Sequence, residues 1–310
     1  MKTYLDCIPC FYRQALEASR LAGATEEKQK LVLDELASIL PDIEMDSPPP
    51  EIAINIYSIV NRVTGNPDPY RELKNRGTDL ALEIYERMKE TVAASAEPLK
   101  IAVELAIAGN IIDYGAQYSF SLEEEIEKIL EMFSKTSSNG NYAVFDFEDF
   151  KAVLEKAGSV LYLADNAGET VFDRILIETI NGIYGGKKIV YAVKEKPVIN
   201  DAVFSDALRA GVDSCAEIVS SGSHAPGTLL SVCSPGFLEI FEKADMVISK
   251  GQGNFEVLSD VKRSVFFMFR AKCAIVARDI GCRIGDAVLF HKKSGKQHMP
   301  ESVVRKGEKK

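Results

Sequence analysis

Val160-Leu161-Tyr162-Leu163-Ala164-Asp165-Asn166-Ala167-Gly168-Glu169-Thr170 decides how this chain is read. Four apolar residues in a row suit a strand buried on both faces, as in a parallel sheet covered by helices. The run breaks into a polar turn, and a helix is predicted to begin at about Glu169. Asp165 and Asn166 thereby fall at the carboxyl end of a strand and beside the positive end of a helix dipole, where open α/β sheets bind ligands. Taken alone, Asp-Asn at such a place also suits a plain turn with an N-cap, so the neighbouring segments must decide.

Similar short runs recur downstream at Ile189 to Val193, Ile218 to Ser220, Met246 to Ile248, Ala274 to Ala277 and Ala287 to Phe290, with helical segments between them. This alternation predicts a three-layer, doubly wound, mostly parallel sheet of Rossmann-like type. Upstream, from Thr3 to about Phe133, the periodicity is helical, with breaks at Gly23-Ala24-Thr25, Pro41, Ser47-Pro48-Pro49-Pro50, Gly65-Asn66-Pro67-Asp68-Pro69 and Glu97-Pro98. Lys135-Thr136-Ser137-Ser138-Asn139-Gly140-Asn141 is polar and turn-rich. The expected division is a helical subdomain over 1–134 and an α/β domain over 135–310, a size that calls for two cores.

Each of the first four predicted strands exits into a polar or glycine-containing loop. After the second comes Lys194 to Asp201. After the third, Ser221-Gly222-Ser223 is small enough to bring backbone N–H groups to an anion. After the fourth come Lys250, Gly251 and Asn254. Gly251-x-Gly253 has neither the dinucleotide-binding nor the P-loop spacing. It is the gathering of four such exits at one sheet edge that argues for a site. Three histidines, His224, His291 and His298, lack zinc-like spacing. A hard divalent cation held by Asp and Asn oxygens is therefore favoured, and such an ion suits phosphoryl chemistry, with Lys250 balancing charge on the phosphoryl oxygens.

The formal net charge of −9 argues against a nucleic-acid surface. The longest apolar runs, such as Ile101 to Ile112, are too short to span a bilayer, and Met1 opens no signal-peptide pattern, so no membrane partner and a cytoplasmic protein are expected. Six cysteines without secretory context predict reduced thiols. Cys7-Ile8-Pro9-Cys10 admits either a redox or metal role or a pair of buried apolar thiols.

Asp165-Asn166-Ala167-Gly168-Glu169-Thr170, with Asp201 36 positions beyond Asp165 and then Ser249-Lys250-Gly251-Gln252-Gly253-Asn254, resembles the damage-control phosphatases, a metal-dependent family once known only as a domain of unknown function. Gly109-Asn110-Ile111-Ile112-Asp113-Tyr114-Gly115 at the end of the helical part and Arg270-Ala271-Lys272-Cys273 before the fifth predicted strand match further, and Cys7-x-x-Cys10 is similar to the prokaryotic branch. The resemblance implies one divalent ion (Mn, Ni, Co or Mg) on Asp165, Asn166 and Asp201. It implies Lys250 at the substrate phosphate and Asn110 and Asp113 closing the cleft from the helical part, with a small phosphorylated metabolite as substrate. Asp165, Asp201, Lys250 and Asp113 are the expected catalytic residues, and Asn110, Ser221, Gly222, Ser223, Lys250, Gly251 and Asn254 the expected substrate contacts. Two other classes compete: an S-adenosylmethionine-dependent carboxyl methyltransferase, disfavoured by the lack of a glycine-rich turn after the first strand, and a non-catalytic phosphometabolite-binding protein.

Overall fold

The computed structural model describes residues 1–109 and 142–295. Five helices come first: α1 Cys7–Leu21, α2 Glu26–Ile39, α3 Pro49–Thr64, α4 Arg71–Ala93 and α5 Pro98–Ala108. Local chemistry sets their ends. Thr25 caps α2 by accepting a hydrogen bond from the Lys28 amide. Pro49 and Pro98 stand in first turns, where a missing N–H costs nothing. Gly65 closes α3 at a φ of 78°.

Helices α1 to α3 share a core around Phe11, Ala15, Val32, Leu36, Ile56 and Val60. Helices α4 and α5 instead bury Ile84, Met88, Val103 and Ala106 in the core that lies against the sheet. The helical half thus serves two packing centres, and the expected division at 134 and 135 lies outside the described residues.

The sheet has seven strands: β1 Tyr142–Phe145, β2 Ser159–Leu163, β3 Lys188–Val193, β4 Glu217–Ser220, β5 Met246–Lys250, β6 Val265–Arg270 and β7 Ala287–Lys292. Their order is β1-β7-β6-β5-β2-β3-β4. The five strands from β6 to β4 are mutually parallel, while β7 is antiparallel to β6 and β1 runs parallel to β7. Between them lie α6 Phe147–Lys156, α7 Thr170–Tyr184, α8 Phe204–Arg209, α9 Pro235–Lys243, α10 Gln252–Leu258 and α11 Ala274–Ile280. Successive side chains of β2 go to opposite cores. Val160 and Tyr162 join α4, α5 and α7, whereas Leu161 and Leu163 join α9, α10 and α11. Both faces are therefore covered, giving the three-layer, doubly wound fold expected.

Two expectations about elements are corrected. Ala274 to Ala277 is not a strand but the start of α11, bounded by Cys273 and by Gly281 at a φ of 79°. A four-residue apolar run does not distinguish the two states, and that left-handed glycine closes a helix. The strand there is Val265–Arg270, so Arg270-Ala271-Lys272-Cys273 follows a strand rather than preceding one. Among the described residues no helix is long and apolar enough to cross a membrane.

Candidate active site at the switch point of the sheet

From β2 the chain winds outward through β3 and β4, then returns to lay β5 on the other side of β2. The order reverses between β2 and β5, and the crevice at such a reversal is where open α/β sheets take ligands. Asp165 and Asn166 leave β2 on one side of it and Gly251 leaves β5 on the other.

Backbone bonds stitch the β2 exit to the β3 exit. Ala167 N donates to Asn200 O at 2.9 Å and Ala202 N to Asp165 O at 2.7 Å. Asn166 and Asp201 form an isolated antiparallel bridge. These contacts set Asp201 beside Asp165, which 36 positions of sequence do not show. The same loop holds Ile199 at a φ of 45°, a left-handed conformation that a β-branched residue adopts only under constraint from its surroundings.

Asp165, Asn166, Glu169 and Asp201 are all buried. Burial pushes the Asp165 carboxyl well above the usual range, and the charges of Glu169 and Asp201 push it further. Burial also raises Asp201, opposed by the ammonium of Lys194, whose Nζ lies 3.5 Å from Asp201 Oδ2. Among the described residues the Asp165 carboxylate takes no hydrogen bond, and Asp201 Oδ2 takes none. Asn166 Nδ2 donates to Glu169 Oε1 at 2.7 Å, which turns its amide oxygen away from Glu169.

Lys250 stands behind this floor. Its ammonium is buried and donates to Glu169 Oε2 at 2.7 Å and Asp173 Oδ1 at 2.8 Å. Asp173 also accepts from Tyr162 and Tyr191, each at 2.7 Å. Lys250 reaches Asn166 through Glu169. Asn254 is likewise committed internally: Nδ2 donates to Ala164 O at 3.0 Å and Lys250 O at 2.7 Å, while Oδ1 accepts from Thr228 N at 2.6 Å. It ties three strand exits together. Ser221 and Ser223 are buried in bonds of their own loop, Ser223 N to Ser221 Oγ at 3.2 Å and Ser223 Oγ to Gly227 O at 3.0 Å. Gly222, at a φ of 79°, packs on Ser234. Asn110 and Asp113 lie outside the described residues.

A cavity of about 460 Å³ opens over Asp165, Asn166 and Asp201. Lys250, Asn254 and Ser221 to Ser223 do not line it. Its opposite wall is α1, with Cys7, Cys10, Arg13 and Gln14, and a third wall carries Gln252, Glu256, Lys272 and Cys273. Gln252, Lys272 and Cys273 fall in segments that carry the family resemblance but have no site role in the sequence reading, and Glu256 and Arg13 go unmarked there, because nothing in α1 or α10 shows that they face a floor formed by residues far away in the chain. Burial raises both thiols of the Cys-x-x-Cys pair, and all six cysteines are free. Burial also pushes the Glu256 carboxyl up to about 7.

Among the described residues no group of three or more His, Cys, Asp and Glu is disposed to hold a metal. The set at the switch point is different in kind, two carboxylates and an amide. Hard oxygen donors of this sort, desolvated and mutually repelling, fit a divalent cation that would offset both costs.

Residues 3–288 match the damage-control phosphatase ARMT1-like domain. A damage-control phosphatase of Pyrococcus horikoshii is 33% identical over 296 residues, covering 94% of this chain and 99% of the relative. Another, from Archaeoglobus fulgidus, is 33% identical over 291 residues, covering 93% and 98%. An uncharacterized protein of Methanocaldococcus jannaschii is 33% identical over 294 residues, covering 92% and 94%. The crystal structure of a DUF89 family protein from Pyrococcus horikoshii superposes with a TM-score of 0.85 at 31% identity, covering 94% of this chain and all of that one. With the match running through both the helical part and the sheet, the chain belongs to the damage-control phosphatase ARMT1-like family.

Proposed function

We propose that this protein is a phosphatase that hydrolyses small phosphomonoesters with the help of one divalent cation held by Asp165, Asn166 and Asp201. The observation that carries the reading is the pairing of Asp165 with Asp201 at the switch point, both buried and each with a carboxylate oxygen unsatisfied by hydrogen bonds among the described residues. Membership of the family and the names of two relatives supply the reaction class.

When bound, a Mn, Ni, Co or Mg ion supplies charge against the phosphoryl oxygens and acidifies water. The chain's own residues do the rest. Lys194 favours the ionised form of Asp201, and Lys250 fixes Glu169 and through it the orientation of Asn166. The α1 wall encloses the ester and limits water. In this reading water attacks phosphorus as the P–O bond to the alcohol breaks; one proton of the water passes to the Asp201 or Asp113 carboxylate and from there to the leaving oxygen, so that the alcohol and inorganic phosphate are released.

Release of phosphate from p-nitrophenyl phosphate with added Co²⁺, Ni²⁺, Mn²⁺ or Mg²⁺ tests the proposal, using wild type and Asp165→Ala. Metal-dependent release lost in the variant supports it. Release without metal, or unaffected by the substitution, overturns it.

A further inference from the structure

Cations near the floor are already committed to carboxylates. Lys250 is paired with Glu169 and Asp173, and Lys194 with Asp201. Lys272 lines the cavity and has an interaction partner of its own. Arg13 differs. It lines the same cavity from α1, is exposed to it, and among the described residues takes part in no ion pair or hydrogen bond. Asp6 lines the same cavity and, among the described residues, forms no salt bridge with it. Its charge reaches inward, since it draws down a Cys10 thiol that burial raises.

The cavity is also larger than a phosphate needs. About 460 Å³ is within the range of sites that enclose a whole small metabolite. A substrate whose phosphate lies over Asp165 and Asp201 therefore extends its remaining atoms toward the α1 wall. A guanidinium there offers a planar fork of N–H donors matched to a carboxylate or a phosphate. In a chain of net charge −9, a cation at this place with no ion pair among the described residues attracts an anion.

We infer that Arg13 recognises a second anionic group on the substrate, so that the preferred esters carry a carboxylate or a further phosphate beyond the one removed. The inference rests on the phosphatase reading above and names the substrate class of that same cavity.

Paired esters test it. Glycerol 3-phosphate against 3-phosphoglycerate adds a carboxylate; 1,4-butanediol monophosphate against its bisphosphate adds a phosphate. For each pair, kcat and KM are measured with the most activating ion for wild type, Arg13→Gln and Arg13→Lys. Wild type is expected to favour the charged member of at least one pair by tenfold or more in kcat/KM, through KM. Arg13→Gln lowers that ratio about tenfold and Arg13→Lys lowers it less; the pair that responds identifies the anion. A wild-type ratio near one in both pairs, or a ratio unmoved by Arg13→Gln, overturns the role of Arg13 alone. Absence of release from all four esters with every ion overturns the phosphatase reading and this inference with it. Because Arg13 is exposed on a helix, the glutamine variant retains the α1 core, and the lysine variant provides a second folded control.

Discussion

Gly251 lies directly against the carboxylate of Asp165: a Cβ placed on it would sit 2.0 Å from Asp165 Cγ. Its φ of 83° and ψ of 156° belong to a region essentially closed to other residues. The glycine is what lets the β5 exit close over the β2 exit. Gly251→Ala is expected to cost about 1–3 kcal/mol in backbone strain and, by displacing Asp165, to lower kcat/KM on p-nitrophenyl phosphate roughly 100-fold. Urea denaturation and steady-state assays check the two effects separately.

Asp165→Asn should stabilise the metal-free protein while removing activity. The folded-state carboxyl is raised, so the folded chain holds its proton where the unfolded chain has lost it. The destabilisation is absent below the unfolded value and grows as pH rises from there through the folded value. The Tm gain of the variant over wild type, measured in chelator, is therefore expected to widen from about pH 4 to pH 7. A gain that shrinks with rising pH contradicts the assigned burial and repulsion.

Lys250→Met leaves Glu169 and Asp173 buried without their cation. Breaking a buried pair by removing one partner costs about 3–5 kcal/mol. Chemical denaturation reads this loss, and the double variant Lys250→Met/Glu169→Gln is expected to recover part of it.

Asn254→Ala removes three internal hydrogen bonds and is expected to cost roughly 2–4 kcal/mol. Asn254→Asp should be worse despite its equal size, because a carboxylate would then face the carbonyls of Ala164 and Lys250. An aspartate variant as stable as wild type would contradict the tie between the strand exits.

The sheet was legible wherever a strand combined β-branched residues with a polar exit, as in Ile189 to Val193. Val265-Phe266-Phe267-Met268-Phe269-Arg270 escaped because Phe and Met do not separate a buried strand from a buried helix, and Tyr142–Phe145 because a four-residue edge strand carries little pattern. In the site, Asp165 and Asn166 could be read because a strand exit is a local event. That Lys250 faces inward to Glu169 and Asp173 depends on where α7 packs, a tertiary outcome. Arg13 was invisible for the same reason, since only docking of α1 over the sheet makes it part of the cavity.

The floor and the α1 wall meet through one loop: α1 packs with α2 and α3, and the core they share takes in Val198 and Ile199 of the loop that carries Asp201, while Asp165 leaves the sheet strand β2. Substitutions at exposed cavity-facing positions of α1, such as Arg13, alter what the cavity admits without entering that shared core. Across a lineage, chemistry can then stay constant while the repertoire of molecules processed drifts, one helix at a time. A chimaera carrying residues 1–64 of a relative, with positions 198 and 199 exchanged to match, would transplant that repertoire while keeping the reaction.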